Sequence, residues 1–272
     1  MPEGATSRKT PTREREASVR ASAGYFELAT RPLHVLVFIL PLVVACEIGS
    51  ALYLADESGR VSEAVSAYLK VVAFFEMFGA FGLFLPGLAL VAVLAVQHLL
   101  SRDRWRVYPG VTATMAVESL VLVAPLLVLG AVMGLAGAAA AAAGTPPAPD
   151  GAAGVLDGPW QQRLTIALGA GLYEEFLFRM VLIALVHAVA VDLLRRSEGV
   201  GAFVCVVTSA LCFAAYHDLT GPAGGFDAIR AAFFALAGGY FAILYLWRGF
   251  GIVVGVHVLY DVVVLLIVRP GA

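Results

Sequence analysis

Gly171-Leu172-Tyr173-Glu174-Glu175-Phe176-Leu177-Phe178-Arg179-Met180 lies in the middle of an apolar run from Arg163 to Leu194. An uninterrupted apolar stretch of about 20 residues is long enough to cross a bilayer. The run therefore reads as a membrane-spanning helix with two carboxylates and a guanidinium at its centre. Charge is costly in hydrocarbon, so ionisable groups kept there mark a functional site by default. Two further runs carry the same kind of signal. Phe213-x-x-x-His217 ends the run Val200–His217, and His257-x-x-x-Asp261 sits inside Ile252–Val268. Three polar clusters on three hydrophobic helices suggest one pocket assembled from distant parts of the chain.

Composition agrees with that class. The chain has 272 residues, of which 60% are hydrophobic and only 14% charged, and its mean hydropathy is +0.87. Soluble domains are about half apolar and a quarter charged. The expected fold is an all-α polytopic transmembrane helical bundle. A membrane β-barrel needs short alternating segments, whereas these runs are long and continuous. A net charge of -2 offers no broad basic field for nucleic acid. Cys46, Cys205 and Cys212 all fall in apolar runs. They lack the paired spacing of a zinc or redox motif and read as small buried hydrophobes.

The chain divides into a polar tail over 1–30, N-terminal membrane helices over 31–145, and membrane helices over 160–268 that carry the three polar clusters. The tail is mixed in charge, has no apolar period and reads as disordered. It is no signal peptide, because the first apolar run begins only near His34. Seven spans follow: His34–Leu54, Ser66–Leu100, Val111–Ala142, Arg163–Leu194, Val200–His217, Ala228–Trp247 and Ile252–Val268. The second is long for one crossing, with Lys70 and Glu76 near an interface. The segment 144–159, with Pro146, Pro147 and Pro149, reads as a loop. Arg8, Lys9, Arg13, Arg15, Arg20 and Arg31 precede the first span. Arg102, Arg104 and Arg106 follow the second, Arg195 and Arg196 the fourth, and Arg248 the sixth. Positive residues concentrate on the cytoplasmic side, so the N-terminus is expected there and, after seven spans, the C-terminus outside.

The chemistry follows from spacing. Adjacent helical residues point about 100° apart, so Glu174 and Glu175 cannot share one role. Arg179 is four residues beyond Glu175 and reaches it along the helix surface. That leaves Glu174 as the free carboxylate, a candidate general base for activating water. The bland alternative is an internal ion-pair staple, with Glu174 bonding a neighbouring helix. His257 and Asp261 are one turn apart and share a face. His217, at a helix end, reads alone as an interfacial or capping residue, with Phe213 one turn earlier as an aromatic wall. Taking span midpoints as the membrane centre puts His217 about 10 Å or more from Glu174 in depth. Glu47 and Glu118 are candidate helix-bonding groups.

Glu-Glu-x-x-x-Arg, Phe-x-x-x-His and His-x-x-x-Asp, in this order on successive hydrophobic helices, resemble the CPBP family of CAAX proteases and bacteriocin-processing (Abi-type) enzymes. The resemblance covers about 160–268. It implies an intramembrane endopeptidase of the glutamic type, in which Glu174 activates the hydrolytic water with help from His217. His257 and Asp261 then stabilise the oxyanion, while Glu175, Arg179 and Phe213 support the site. Residue 261 departs from the pattern, because many members have Asn there. An ionised Asp cannot donate a hydrogen bond, so Asp261 would instead orient His257. The family was long described as metalloproteases and later as working without an obligatory metal. No cofactor is expected here; if zinc were bound, Glu174, His217 and His257 would be its ligands.

The expected partners are the bilayer and a peptide or protein substrate in or near it, lipidated or leader-bearing. The expected location is a bacterial cytoplasmic membrane. Two rival readings keep the same helices: a non-catalytic immunity or binding protein, and a proton-coupled transporter, since buried Glu, His and Asp also relay protons. Geometry separates them. The protease reading requires Glu174 within hydrogen-bond or one-water distance of both histidines.

Overall fold

The computed structural model describes residues 24–55, 66–76, 82, 84–142, 158–221 and 224–267. Among them the chain is predominantly helical, with no β-strand beyond one isolated bridge between Thr220 and Phe226. A short helix α1 (Tyr25–Thr30) leads into α2 (Pro32–Leu54). Then come α3 (Ser66–Glu76), α4 (Leu85–Ser101) and α5 (Pro109–Ala136). The C-terminal half holds α6 (Trp160–Leu193), α7 (Glu198–Tyr216), α8 (Ala228–Arg248) and α9 (Phe250–Ile267). Six of these are long and apolar enough to cross a membrane: α2, α5, α6, α7, α8 and α9. The shorter apolar α4 accompanies them.

Local sequence explains where the helices break. The Ser197 hydroxyl accepts from the Val200 N–H and opens α7. The Asp227 carboxylate accepts from Ile229 and Arg230 N–H, each at 3.0 Å, and opens α8. These caps satisfy donors that a helix start leaves free. Between α8 and α9 only Gly249 intervenes, at φ 83°. A side chain there would be strained, and the glycine lets α9 turn straight back into the bundle.

Helix α9 is the centre of the fold. Nine consecutive residues from Phe250 to Val258 are buried, against α2, α5, α6 and α8. A helix buried on all sides carries no polar stripe, which is why His257 stands out. Helix α6 lies alongside it and is not a regular α-helix. Ala170–Glu174, Phe176–Val181 and Ala188–Leu193 are wound as π-helix. Such wide turns are rare and gather at functional sites, and here Glu175 sits between two of them.

Several expectations need correction. The expected single span Ser66–Leu100 is two helices, α3 and α4. Pro86 in the first turn of α4 lacks the N–H that a continuing helix needs. The expected all-α bundle of about seven spans stands, as six long apolar helices and the shorter apolar α4 among the described residues. The tail expected over 1–30 gives way to helix at Tyr25; residues 1–23 and 143–157 lie outside the described residues. Arg248 is not a loop cation. It is 1% exposed and donates to both oxygens of Glu118, Nε to Oε1 at 2.6 Å and a terminal nitrogen to Oε2 at 2.7 Å. Tyr25 donates to the same carboxylate, so Glu118 ties α1, α5 and α8 together.

Candidate active site

Three helices bring the polar clusters together. Glu174 and Glu175 come from α6, His257 and Asp261 from α9, and His217 from the end of α7. Glu174 Oε2 lies 3.8 Å from His217 Nε2 and 3.9 Å from His257 Nε2. That oxygen is buried and has no hydrogen-bond partner among the described residues. One water at about 2.8 Å from each atom spans such gaps. The side chains of Glu174 and His217 are 10% and 20% exposed, so the cluster is sheltered yet reachable.

The second carboxylate faces the other way. Glu175 Oε1 lies 2.7 Å from His257 Nδ1, and its Oε2 lies 3.1 Å from Arg179 Nε. Glu175 and Arg179 are both 0% exposed. A buried ion is costly unless it is paired, and each is the other's ion-pair partner. Arg179 also donates to the Gly238 carbonyl at 3.2 Å. Its guanidinium lies 4.4 Å from the centre of the Phe213 ring and 5.1 Å from that of Phe241. The carboxylate of Asp261, one turn along α9, lies 3.5 Å from His257 Nε2. Both nitrogens of His257 thus face carboxylates.

His217 reaches the cluster by a local device. Helix α7 ends at Tyr216, and His217 caps it in extended conformation, φ -84° and ψ 157°. Its Nδ1 lies 2.8 Å from the Phe213 carbonyl, one of the oxygens a helix end leaves without a partner. A carbonyl only accepts, so Nδ1 carries the hydrogen and Nε2 keeps its lone pair. The depth estimate from span midpoints, which separated His217 from Glu174, is wrong for this reason. Folding the ring back onto the last turn puts Nε2 beside Glu174. The loop beyond is ordered by the Asp218 carboxylate, which accepts from the Thr220 N–H at 2.9 Å. That bond holds the Asp218 carboxyl below its usual range.

Aromatic rings complete the walls. Phe234 stacks on His217 with centroids 3.8 Å apart, and Phe241 stacks on His257 at 4.5 Å. Phe213 lies 4.6 Å from the His217 ring. Phe234, Gly238 and Phe241 were missed by sequence reasoning. Their spacing of four and three residues along α8 was the available signal, since it places them on one helix face.

The N-terminal helices also touch the site. Tyr173, next to Glu174 in the chain, donates to Glu47 of α2 and packs against Tyr68 of α3, with ring centres 5.4 Å apart. Glu47 is thus a helix-bonding group, like Glu118. Of the cysteines, Cys46 and Cys205 are buried and Cys212 is exposed; all three are free. Among the described residues, no group of three or more His, Cys, Asp and Glu side chains is arranged to hold a metal ion.

Residues 157–263 match the family model described as type II CAAX prenyl endopeptidase Rce1-like. No curated protein and no solved structure matches the chain. The match spans every side chain of the cluster from Glu174 to Asp261 and agrees with the resemblance carried by the three motifs. Residues 157–263 of this polytopic helical membrane protein therefore match an Rce1-like domain, which is consistent with the CPBP family.

Proposed function

We propose that this protein is an intramembrane endopeptidase that hydrolyses a peptide bond at or near the membrane, with Glu174 and His217 activating the water. The observation that carries the reading is the position of Glu174 Oε2. It is buried without a hydrogen-bond partner among the described residues and lies one water away from both histidine Nε2 atoms. That spacing suits a water held between a base and a second proton acceptor, the arrangement that hydrolysis requires.

Each residue then has a role. The water donates one hydrogen to Glu174 and the other to the lone pair on His217 Nε2. As its oxygen attacks the carbonyl carbon, a proton passes to this pair and the carbonyl oxygen becomes an oxyanion. His257 holds its Nδ1–H toward Glu175 and turns Nε2–H to that oxygen; a preorganised donor at the developing charge is a large source of rate enhancement. Asp261 orients the same nitrogen and leaves donation to the ring. The tetrahedral intermediate collapses when the proton passes to the leaving amine. Glu175, Arg179 and Phe213 position His257 and touch no reacting atom. No step here runs through a metal.

The substrate is a peptide or protein segment presented from the bilayer. Arg102, Arg104 and Arg106 between α4 and α5 support a cytoplasmic N-terminus by the distribution of positive charge. The test is cleavage of quenched fluorescent membrane-proximal peptides, prenylated ones included, by purified protein in detergent. Wild type should cleave, with or without a chelator. Glu174→Gln should lose at least about 10²-fold, the usual worth of a general base. Cleavage by both proteins alike overturns the reading, and cleavage abolished by the chelator overturns its metal-free form.

A further inference from the structure

The cluster is rich in carboxylates, and its one nearby guanidinium, that of Arg179, is buried and paired with Glu175. A negatively charged substrate group approaching it meets the carboxylates of Glu174 and Asp261, 10% and 18% exposed. Such a group binds only where another cation is offered. Lys70 offers one. It lies on α3, outside the segment that matches the family model, and is exposed. Its ammonium sits 4.1 Å from the centre of the Tyr216 ring. Tyr216 precedes His217, and the two ring centres are 5.1 Å apart. Lys70 forms no ion pair with any described carboxylate. Contact with a ring face uses little of its capacity, because an ammonium has three donors.

Resting on the endopeptidase reading above, we propose that Lys70 forms a subsite for a carboxylate on the substrate, beside the His217 end of the cluster. The distances limit where that carboxylate lies. Lys70 is one aromatic ring away from His217, and an extended peptide advances about 3.3 Å per residue. The carboxylate therefore falls within about three residues of the cleaved bond. It is either an acidic side chain or the free end of the peptide. The same cation sets direction, since a charged segment is drawn toward α3 and away from Asp261. Helix α3 is well placed for this task. Tyr68 and Val71 anchor it in the core while Lys70 stays exposed.

The test uses full-length protein and a quenched peptide that the wild type cuts, made in matched forms. One pair carries Glu or Gln at each of the three positions on either side of the cut. A second pair ends in a free carboxylate or an amide. The wild type should prefer a carboxylate form by about fivefold in kcat/KM, the scale of a solvent-accessible ion pair, with the difference in KM. Lys70→Met should bring that ratio near one, Lys70→Arg should keep it, and Lys70→Glu should reverse it. The pair that responds tells a side chain from a chain end. A preference that survives Lys70→Met, or no preference in the wild type, overturns the subsite. Anisotropy of the same peptides on Glu174→Gln, with and without Lys70→Met, separates this proposal from the one beneath it. Lys70-dependent binding of the carboxylate form, with no turnover by wild type, keeps the subsite and removes the endopeptidase. Turnover with no dependence on the carboxylate does the reverse.

Discussion

Gly171→Ala is a small change with a calculable effect on the site. Gly171 lies one turn before Glu174, and it is where α6 presses on α9 beside His257. A Cβ at residue 171 would sit 2.4 Å from Val258 Cγ2, 2.8 Å from its backbone nitrogen and 3.1 Å from its Cα. The methyl of Val258 can rotate away, but its backbone cannot. Ordinary Cβ contacts begin at 3.4 Å, so the helices must separate by about 0.6 Å to relieve the 2.8 Å contact. Overpacking of this kind costs about 1–3 kcal/mol. Its larger effect should be on geometry. The shift widens the gaps from Glu174 and Glu175 to His257, and a misplacement of about 1 Å can cost about a hundredfold in rate. A fall of about ten- to a hundredfold in kcat is expected, with a modest loss of thermal stability. The assay is peptide cleavage beside thermal unfolding in detergent. Gly134→Ala serves as the control, because a Cβ there meets nothing within 4 Å. Full activity in Gly171→Ala would refute the claim that this close approach sets the distance between the acid and imidazole groups.

Other substitutions probe separate parts of the account. Arg179→Met strands the buried Glu175 carboxylate and should lower stability by about 3–5 kcal/mol; adding Glu175→Gln should recover part of it, as read by denaturant or thermal unfolding. Asp261→Asn keeps a polar group opposite His257 Nε2 and should stay within about tenfold of wild-type cleavage, whereas Asp261→Leu should lose about a hundredfold. Near-equal rates for the two would mean that residue 261 does not orient the ring. Arg248→Met removes both charged hydrogen bonds to Glu118, at a cost of about 2–3 kcal/mol. The protein that remains folded should cleave normally, which a kcat normalised to folded protein will show.

Much of this architecture was legible in the chain, for identifiable reasons. Long apolar runs mark the helices because hydrocarbon leaves a backbone only the helix or the closed barrel, and a barrel's strands are short and alternating. The Glu175–Arg179 and His257–Asp261 contacts follow from i,i+4 geometry. The bond from Glu175 to His257 does not, because the two residues are 82 apart in sequence and only packing brings them together. The reach of His217 was hidden for a different reason. It depends on one residue leaving the helix and folding its ring back onto Phe213, and a span midpoint carries no trace of that. Arg248 looked like a loop cation because its partner Glu118 lies 130 residues away. The π-helical turns on either side of Glu175 left no pattern in the residues. Phe234, Gly238 and Phe241 had a readable helical spacing but lacked charge to draw notice.

The most direct measurement is the mass of the products formed from one membrane-proximal peptide by reconstituted wild type and by Glu174→Gln. Hydrolysis by water at a single peptide bond predicts two fragments whose masses sum to that of the peptide plus one water. The wild type should form them, and Glu174→Gln should form them at least about a hundredfold more slowly. The same fragments appearing at the wild-type rate from Glu174→Gln would contradict the central claim that this carboxylate activates the water.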